Sequence, residues 1–409
     1  MDHKKRSAAS LIFLCWAVYA CSYLGKLNYA ANIVPLMSHY GVNHGQAGLV
    51  SSYFSVAYAI GQVVNGILCK KYNLRITVFG ALTVSATINL CVGFAPNFEI
   101  LRFLWMLNGF ATSLLWPCLV RLLSESLDAK DLGKAVVAMG TTTALGTFTI
   151  YGISAGFALF NGFKWVFILS AVAVYGAAIF WLFTVKKRVN GVVRSDVSES
   201  KSNASEAIKK TSPGKALLVC AAILAVFGIF TNLVKDGLSG WVPSILKEEY
   251  GMGDSLSILL TLALPLVSMF GSAFSVKAQK RLPDFVLLCG ALFGGSAVVL
   301  LGITAGLKEG LLPLLFAGFA LVCFLMATGN SVITSMFPMF MKGKMNSGML
   351  AGVLNGFCYV GSTLSSYGLG ALADHFGWEA VFTVLTAACA GCLVLAMLYG
   401  AGKRVIKNK

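Results

Sequence analysis

The chain has 409 residues, of which 57% are hydrophobic and only 12% charged, and its mean hydropathy is +0.79. Soluble domains carry ~25% charged residues, so this composition excludes an ordinary soluble fold. The formal charge of +16 does not point to nucleic acid, because the basic residues form short clusters between apolar runs rather than one continuous face.

Taking ~20 apolar residues per crossing, the sequence predicts an all-α membrane protein with twelve transmembrane helices. They lie near 8–37, 46–69, 76–95, 100–126, 134–159, 165–185, 216–246, 255–277, 284–306, 310–341, 347–372 and 379–401. The first run, after His3-Lys4-Lys5-Arg6, continues past the length of a signal-peptide core and lacks a cleavage site, so it is read as a span. Segment 186–215 is Ser-rich and polar and reads as a linker. It divides an N-terminal six-helix bundle, 1–185, from a C-terminal one, 216–409. Lysine and arginine concentrate at both termini, in the linker and in the loops after spans 2, 4, 8 and 10. The opposite side carries only Arg102, Lys164, Lys247 and Lys308. Both termini and the linker are therefore expected in the cytoplasm. The eleven cysteines read as packing residues without disulfides. The four histidines show no metal-ligand spacing, and no cofactor is expected.

The chain repeats itself. Tyr23-Leu24-Gly25-Lys26 leads into Ile33-Val34-Pro35, and Asn232-Leu233-Val234-Lys235 leads into Trp241-Val242-Pro243. Asn161-Gly162-Phe163-Lys164-Trp165 recurs as His375-Phe376-Gly377-Trp378. Parallel six-helix repeats are the architecture of major facilitator transporters, whose substrate site lies at the bilayer midplane.

Lys26 and Lys235 stand deep in spans 1 and 7, where a charge costs ~2.5–3.5 kcal/mol on insertion scales. Tyr19, Ser22, Tyr23 and Tyr29 share the face of Lys26 at 3–4 spacing; Thr231, Asn232 and Ser239 share that of Lys235. Lipid cannot satisfy such groups. Cationic donors flanked by hydroxyls and amides suit a phosphate or carboxylate, so an anion-binding site is expected there. Asp236 lies ~100° from Lys235 around the helix, so a tight pair between them is not expected. It reads as a proton-coupling or gating carboxylate, an intramembrane partner of Lys26, or a structural hydrogen-bond acceptor at a helix break near Gly237 and Gly240. Other mid-span polar residues are Gln62, Asn65, Thr141 to Thr143, Asn330, Asn355 and Tyr359. Pro35, Pro117, Pro243, Pro265 and Pro338 are expected to bend their helices, and Arg121 with Glu125 reads as an i,i+4 anchoring pair. Walker, dinucleotide and nucleophile-elbow motifs are absent, so neither ATP-driven transport nor an enzyme is indicated.

With these motifs the chain resembles the organophosphate:phosphate antiporter family, which includes the glycerol-3-phosphate and hexose-phosphate transporters. The likeness runs through Tyr23-Leu24-Gly25-Lys26-Leu27-Asn28-Tyr29, Asn108-Gly109-Phe110 with Trp116-Pro117 and Arg121, Gly240-Trp241-Val242-Pro243, and Gly356-Phe357-Cys358-Tyr359-Val360-Gly361. It implies that Lys26 and Lys235 grip the anion and that Tyr19, Tyr23 and Tyr359 occupy the family's tyrosine positions. The glycerol-phosphate members carry arginine at both grip positions, and a lysine cannot give the planar, bidentate clasp of a guanidinium. Gln62 replaces a family lysine, Thr143 a family histidine, and Lys70-Lys71 the usual Asp-Arg between spans 2 and 3.

The expected protein is thus a multi-pass, monomeric transporter of the bacterial cytoplasmic membrane. It would move a small organic anion, a phosphate ester or similar, by alternating access with phosphate or a proton as coupled ion. An empty site would keep two like charges apart and resist closure, which favours exchange. The alternatives are a proton-coupled carboxylate or sulfonate symporter using Asp236, and a transporter-like metabolite sensor.

Overall fold

The structure, a computed structural model, describes residues 2–42, 44–158, 162–185, 214–252, 263–309 and 312–407. Residues 186–213 of the expected linker and 253–262 at the start of the expected eighth span lie outside the described residues. The chain folds as α1 (Asp2–Ala31), α2 (Ile33–Tyr40), α3 (His44–Leu68), α4 (Leu74–Gly93), α5 (Phe98–Thr112), α6 (Leu115–Ser126), α7 (Ala129–Ala158) and α8 (Phe163–Thr184). It continues as α9 (Lys215–Tyr250), α10 (Ala263–Met269), α11 (Gly271–Arg281), α12 (Phe285–Glu309), α13 (Leu312–Ser331), α14 (Phe337–Phe340), α15 (Ser347–Leu364) and α16 (Gly370–Lys407). Among the described residues, ten helices are long and apolar enough to cross a membrane. Apolar side chains such as Phe183, Val298 and Leu398 point outward, as expected where lipid replaces water.

The local sequence explains where these helices start and stop. Asn73 caps α4 by accepting from the amides of Arg75 and Ile76, and Asp284 caps α12 by accepting from those of Val286 and Leu287. The first span is broken at Asn32, the fourth at Ser113 and Leu114, and the tenth by a π-helical turn, Val332–Met336. Each break stands just before a proline: Pro35, Pro117 and Pro338 sit in the first turns of α2, α6 and α14, where a missing N–H costs nothing. By contrast α9 runs unbroken through Gly237, Gly240 and Pro243, so no helix break lies beside Asp236. The eleventh span is interrupted by a second π-helical turn at Ser365–Leu369. Inside α16, Gly377 takes φ 76°, a left-handed conformation that glycine adopts without strain. The helix direction changes there, in the segment His375-Phe376-Gly377-Trp378 that the sequence reading set against Asn161–Trp165.

The chain divides into two compact units, one of Met1–Leu218 with Pro338–Gly356 and the other of Val219–Phe337 with Phe357–Lys409. In the first, α1 packs on α7 and α8, α4 on α8, and α3 on α5. In the second, α12 packs on α16 and α13, and α10 and α11 pack on α13. All eleven cysteines are free thiols.

Candidate functional site

In the first unit the site is built around Lys26. Its residue is 7% exposed, and its partners among the described residues are ring faces rather than carboxylates. The ammonium lies 4.1 Å from the ring centre of Tyr23, 4.5 Å from that of Tyr19 and 5.8 Å from that of Tyr58. Such contacts contribute ~0.5–2 kcal/mol each. They offset much of the cost of burying the charge without cancelling the charge itself.

The cage is braced on every side. Tyr19 meets Tyr23 edge to face at 5.3 Å and packs against Trp116 at 5.0 Å. Thr143 Oγ1 donates to Tyr23 Oη at 2.7 Å, which leaves the phenolic hydrogen of Tyr23 to donate elsewhere. Gly146 of α7 faces Tyr23, and a Cβ there would overlap the tyrosine side chain. Below the lysine, the carbonyl of Gly25 accepts from Asn89 Nδ2 at 3.0 Å and Asn108 Nδ2 at 2.7 Å. Asn28 Nδ2 donates to Asn89 Oδ1 and Ser85 Oγ to Asn108 Oδ1. This buried amide network fixes the register of α1 one residue before Lys26. The sequence reading passed over Asn89, although an amide in the middle of an apolar span was the signal for it.

Three sequence candidates in this unit have other work. Tyr29 is buried in an aromatic core with Trp105, and its hydroxyl donates to the Ala47 carbonyl at 2.9 Å. Gln62 Nε2 donates at 3.0 Å to the Ser113 carbonyl, and Asn65 Nδ2 to Ser113 Oγ. The α5–α6 break frees that carbonyl, so both amides serve the break. Asn355 is partly buried on α15.

In the second unit Lys235 and Asp236 do form a contact, with Nζ 3.3 Å from Oδ1. This corrects the expectation from helical geometry: the 100° offset applies to the Cα–Cβ bonds, and a four-carbon stem reaches around it. Asp236 Oδ2 accepts from Ser362 Oγ at 2.5 Å, and Ser362 Oγ accepts from Asn232 Nδ2 at 3.0 Å. Asn330 Nδ2 in turn donates to Asn232 Oδ1 at 2.7 Å. Sequence reasoning missed Ser362 because a serine on a membrane helix is most often a small packing residue. Tyr359 is partly buried on the same helix, and its carbonyl accepts from Thr363 Oγ1.

The two units thus each hold one lysine on equivalent repeats, in different surroundings. Comparison with known proteins identifies the family. Residues 15–347 match the family described as Major Facilitator Superfamily. The chain is 22% identical to the membrane sensor protein UhpC of Escherichia coli, over 95% of this chain and 91% of that protein. It is also 22% identical to the glycerol-3-phosphate transporter of Bacillus subtilis, over 94% of this chain and 91% of that protein. Among solved structures, the proton:xylose symporter XylE superposes with a TM-score of 0.73 at 14% identity, covering 97% of this chain and 95% of that one. The fold is all-helical, and the protein is a multi-pass membrane protein rather than an enzyme. The chain belongs to the Major Facilitator Superfamily, with relatives of the organophosphate transporter type.

Proposed function

We propose that this chain is a secondary transporter that moves a small organic anion, a phosphate monoester or a similar polyol-bearing anion, by alternating access. In this reading it has twelve spans, both termini lie in the cytoplasm, and it works as a monomer. Lys26 is the principal anion-binding group. The observation that carries this is a buried ammonium held by tyrosine faces instead of a carboxylate, in a span where charge is expensive. An anion supplies the missing counter-charge. Tyr23, with its hydrogen free to donate, and Thr143 would orient the head group, and Tyr19 and Trp116 hold the cage. Lys235 and Asn232 are the corresponding groups of the second unit, joined by Tyr359.

Two coupling modes follow from the lysines. Exchange against phosphate would suit two uncompensated cations, whereas a proton-coupled mode would use a carboxylate within the protein. The contact of Lys235 with Asp236 favours the second. Sensing without transport is the reading that the similarity to a membrane sensor protein supports. A thermal-shift screen of the purified protein against phosphorylated, carboxylated and sulfonated metabolites tests the ligand class, since ligands that bind the native state raise its apparent stability. Stabilisation by phosphate monoesters in wild type and its loss in Lys26→Ala is the expected outcome; equal stabilisation of both proteins would refute the assignment.

A further inference from the structure

The positive charge that the first unit offers a ligand is small. Lys26 is buried, and no carboxylate among the described residues meets its ammonium. The buried arginine of the same unit is committed elsewhere, since Arg121 bonds Glu125 and the carbonyls of Cys69 and Lys70. In the second unit Lys235 brings a carboxylate with it, its Nζ 3.3 Å from Asp236 Oδ1. Lys26 is therefore the one cation deep in a described span without a carboxylate contact.

The surroundings of Lys26 add few donors and no further charge. Asn89 Nδ2 donates to the carbonyls of Gly25 at 3.0 Å and Ser85 at 2.8 Å, which uses both of its hydrogens. Asn108 Nδ2 donates to the same Gly25 carbonyl, and Asn28 Nδ2 to Asn89 Oδ1. Thr143 Oγ1 donates its hydrogen to Tyr23 Oη, and the hydrogen of Tyr23 is available beside the ammonium. The rest of the cage consists of ring faces, those of Tyr19, Tyr23 and Tyr58. A ring face is the negative end of the aromatic quadrupole, so it favours a cation and repels surplus negative charge.

We propose that the Lys26 cage selects its ligand by charge: it takes an oxyanion head group carrying one negative charge and rejects the same head group carrying two. The class is a sulfate ester or sulfonate, or a phosphate ester in its monoprotonated form. A singly charged head group cancels the ammonium and leaves the cage neutral. A dianion leaves one negative charge uncompensated among electronegative ring faces, in a span where water does not solvate it. Lysine suits this task, because a point charge lacks the planar, bidentate clasp with which arginine holds a phosphate dianion. A phosphate ester, with its second ionisation at about pH 6, is almost wholly dianionic at pH 8 and must take a proton from solvent in order to bind. A sulfate ester is a monoanion throughout and takes none. This inference rests on the organic-anion reading and specifies the charge of its ligand.

The test is calorimetric titration of the purified full-length protein with glycerol 3-phosphate and glycerol 3-sulfate, at pH 6, 7 and 8 in two buffers of different ionisation heat. The two ligands share a skeleton, and only the phosphate has a second ionisation. Among the described residues, the titratable groups facing Lys26 are Tyr19 and Tyr23 of α1 and Tyr58 of α3. A change of charge on any of them, or on Lys26 itself, acts on both ligands alike and cancels in the ratio of their affinities. The phosphate should bind within about threefold of the sulfate at pH 6, and the ratio of phosphate to sulfate affinity should fall about tenfold from pH 7 to pH 8, the slope of a one-proton linkage. At pH 8 the phosphate should take up about one proton more per molecule bound than the sulfate. A ratio that is constant with pH, or that rises, overturns the inference and leaves the organic-anion reading standing, as does binding of the phosphate alone at every pH. Failure of both ligands at every pH overturns the polyol-anion reading and this inference with it. Lys26→Gln should bind neither ligand, and sulfate binding retained in it would overturn the role given to this ammonium; the wild-type ratio does not depend on whether the variant folds.

Discussion

Lys26 has the tyrosine rings of its own helix for company, and no carboxylate among the described residues relieves its charge. The cost of burying it is paid in the empty state, so removing the charge should stabilise the protein while destroying the site. Lys26→Met keeps the stem and the packing. It should raise the unfolding free energy by about 1–3 kcal/mol, a part of the ~2.5–3.5 kcal/mol that a mid-membrane charge costs, and abolish ligand-induced stabilisation. Melting curves in detergent with and without glycerol 3-phosphate would show both effects, and a lower melting temperature in the variant would contradict this energetic account. At this scale the sequence showed which residues share a helix face better than it showed how their side chains connect. Spacing placed Tyr19, Tyr23 and Lys26 on one face, and the structure joins them. The same reasoning gave Tyr29 to the site, but helical spacing cannot tell a cavity from an aromatic core, and its hydroxyl is bonded to Ala47. The Lys235–Asp236 contact was hidden because backbone geometry says nothing about a flexible stem.

The helices take their shape from a few small or special residues. Gly25 lets Asn89, Asn108 and Ser85 close on the α1 backbone, and a Cβ there would meet Asn89 Nδ2 at 2.9 Å. Asn108→Ala should leave partners unpaired in a buried network and cost ~1–3 kcal/mol, with reduced anion affinity because the turn carrying Lys26 loses its anchor. Gly361 of α15 abuts the carbonyl of Ile229 on α9, and a Cβ would overlap it. Gly361→Ala should therefore cost ~1–3 kcal/mol by forcing these helices apart and should disturb the Ser362–Asp236 contact one residue away. Thermal unfolding measures the first effect, and the affinity for glycerol 3-phosphate in a calorimetric titration measures the second. Most helix breaks were legible, since Pro35, Pro117 and Pro338 each mark one. The unbroken path of α9 through Pro243 was not, because neighbouring packing decides whether a proline ends a membrane helix or is absorbed by it.

Over the whole chain, Pro338–Gly356 clusters with the first unit although it lies far along the chain, a grouping that the six-plus-six reading of the sequence did not contain. Its attachments explain this. Ser124 Oγ donates to the Met339 carbonyl at 3.1 Å, Lys342 Nζ to the Glu125 carbonyl at 2.9 Å, and Cys69 Sγ lies 3.7 Å from Asn346 Oδ1. Arg121 ties the cluster together. It pairs with Glu125 at 2.8 Å, as its i,i+4 spacing indicated, and also donates to the carbonyls of Cys69 and Lys70 at 2.7 and 3.2 Å. Those last two bonds join segments that no local pattern links, which is why the sequence could not show them. Arg121→Ala leaves the partly buried Glu125 carboxylate and two carbonyls without this donor and should cost ~1–3 kcal/mol, seen as a lower melting temperature. The central claim, that lysine charges on the two repeats serve an organic anion, is tested most directly by counterflow of labelled glycerol 3-phosphate in proteoliposomes. Wild type should exchange label while Lys26→Ala and Lys235→Ala, reconstituted to equal amounts of folded protein, do not; near-wild-type rates in either variant would contradict the account.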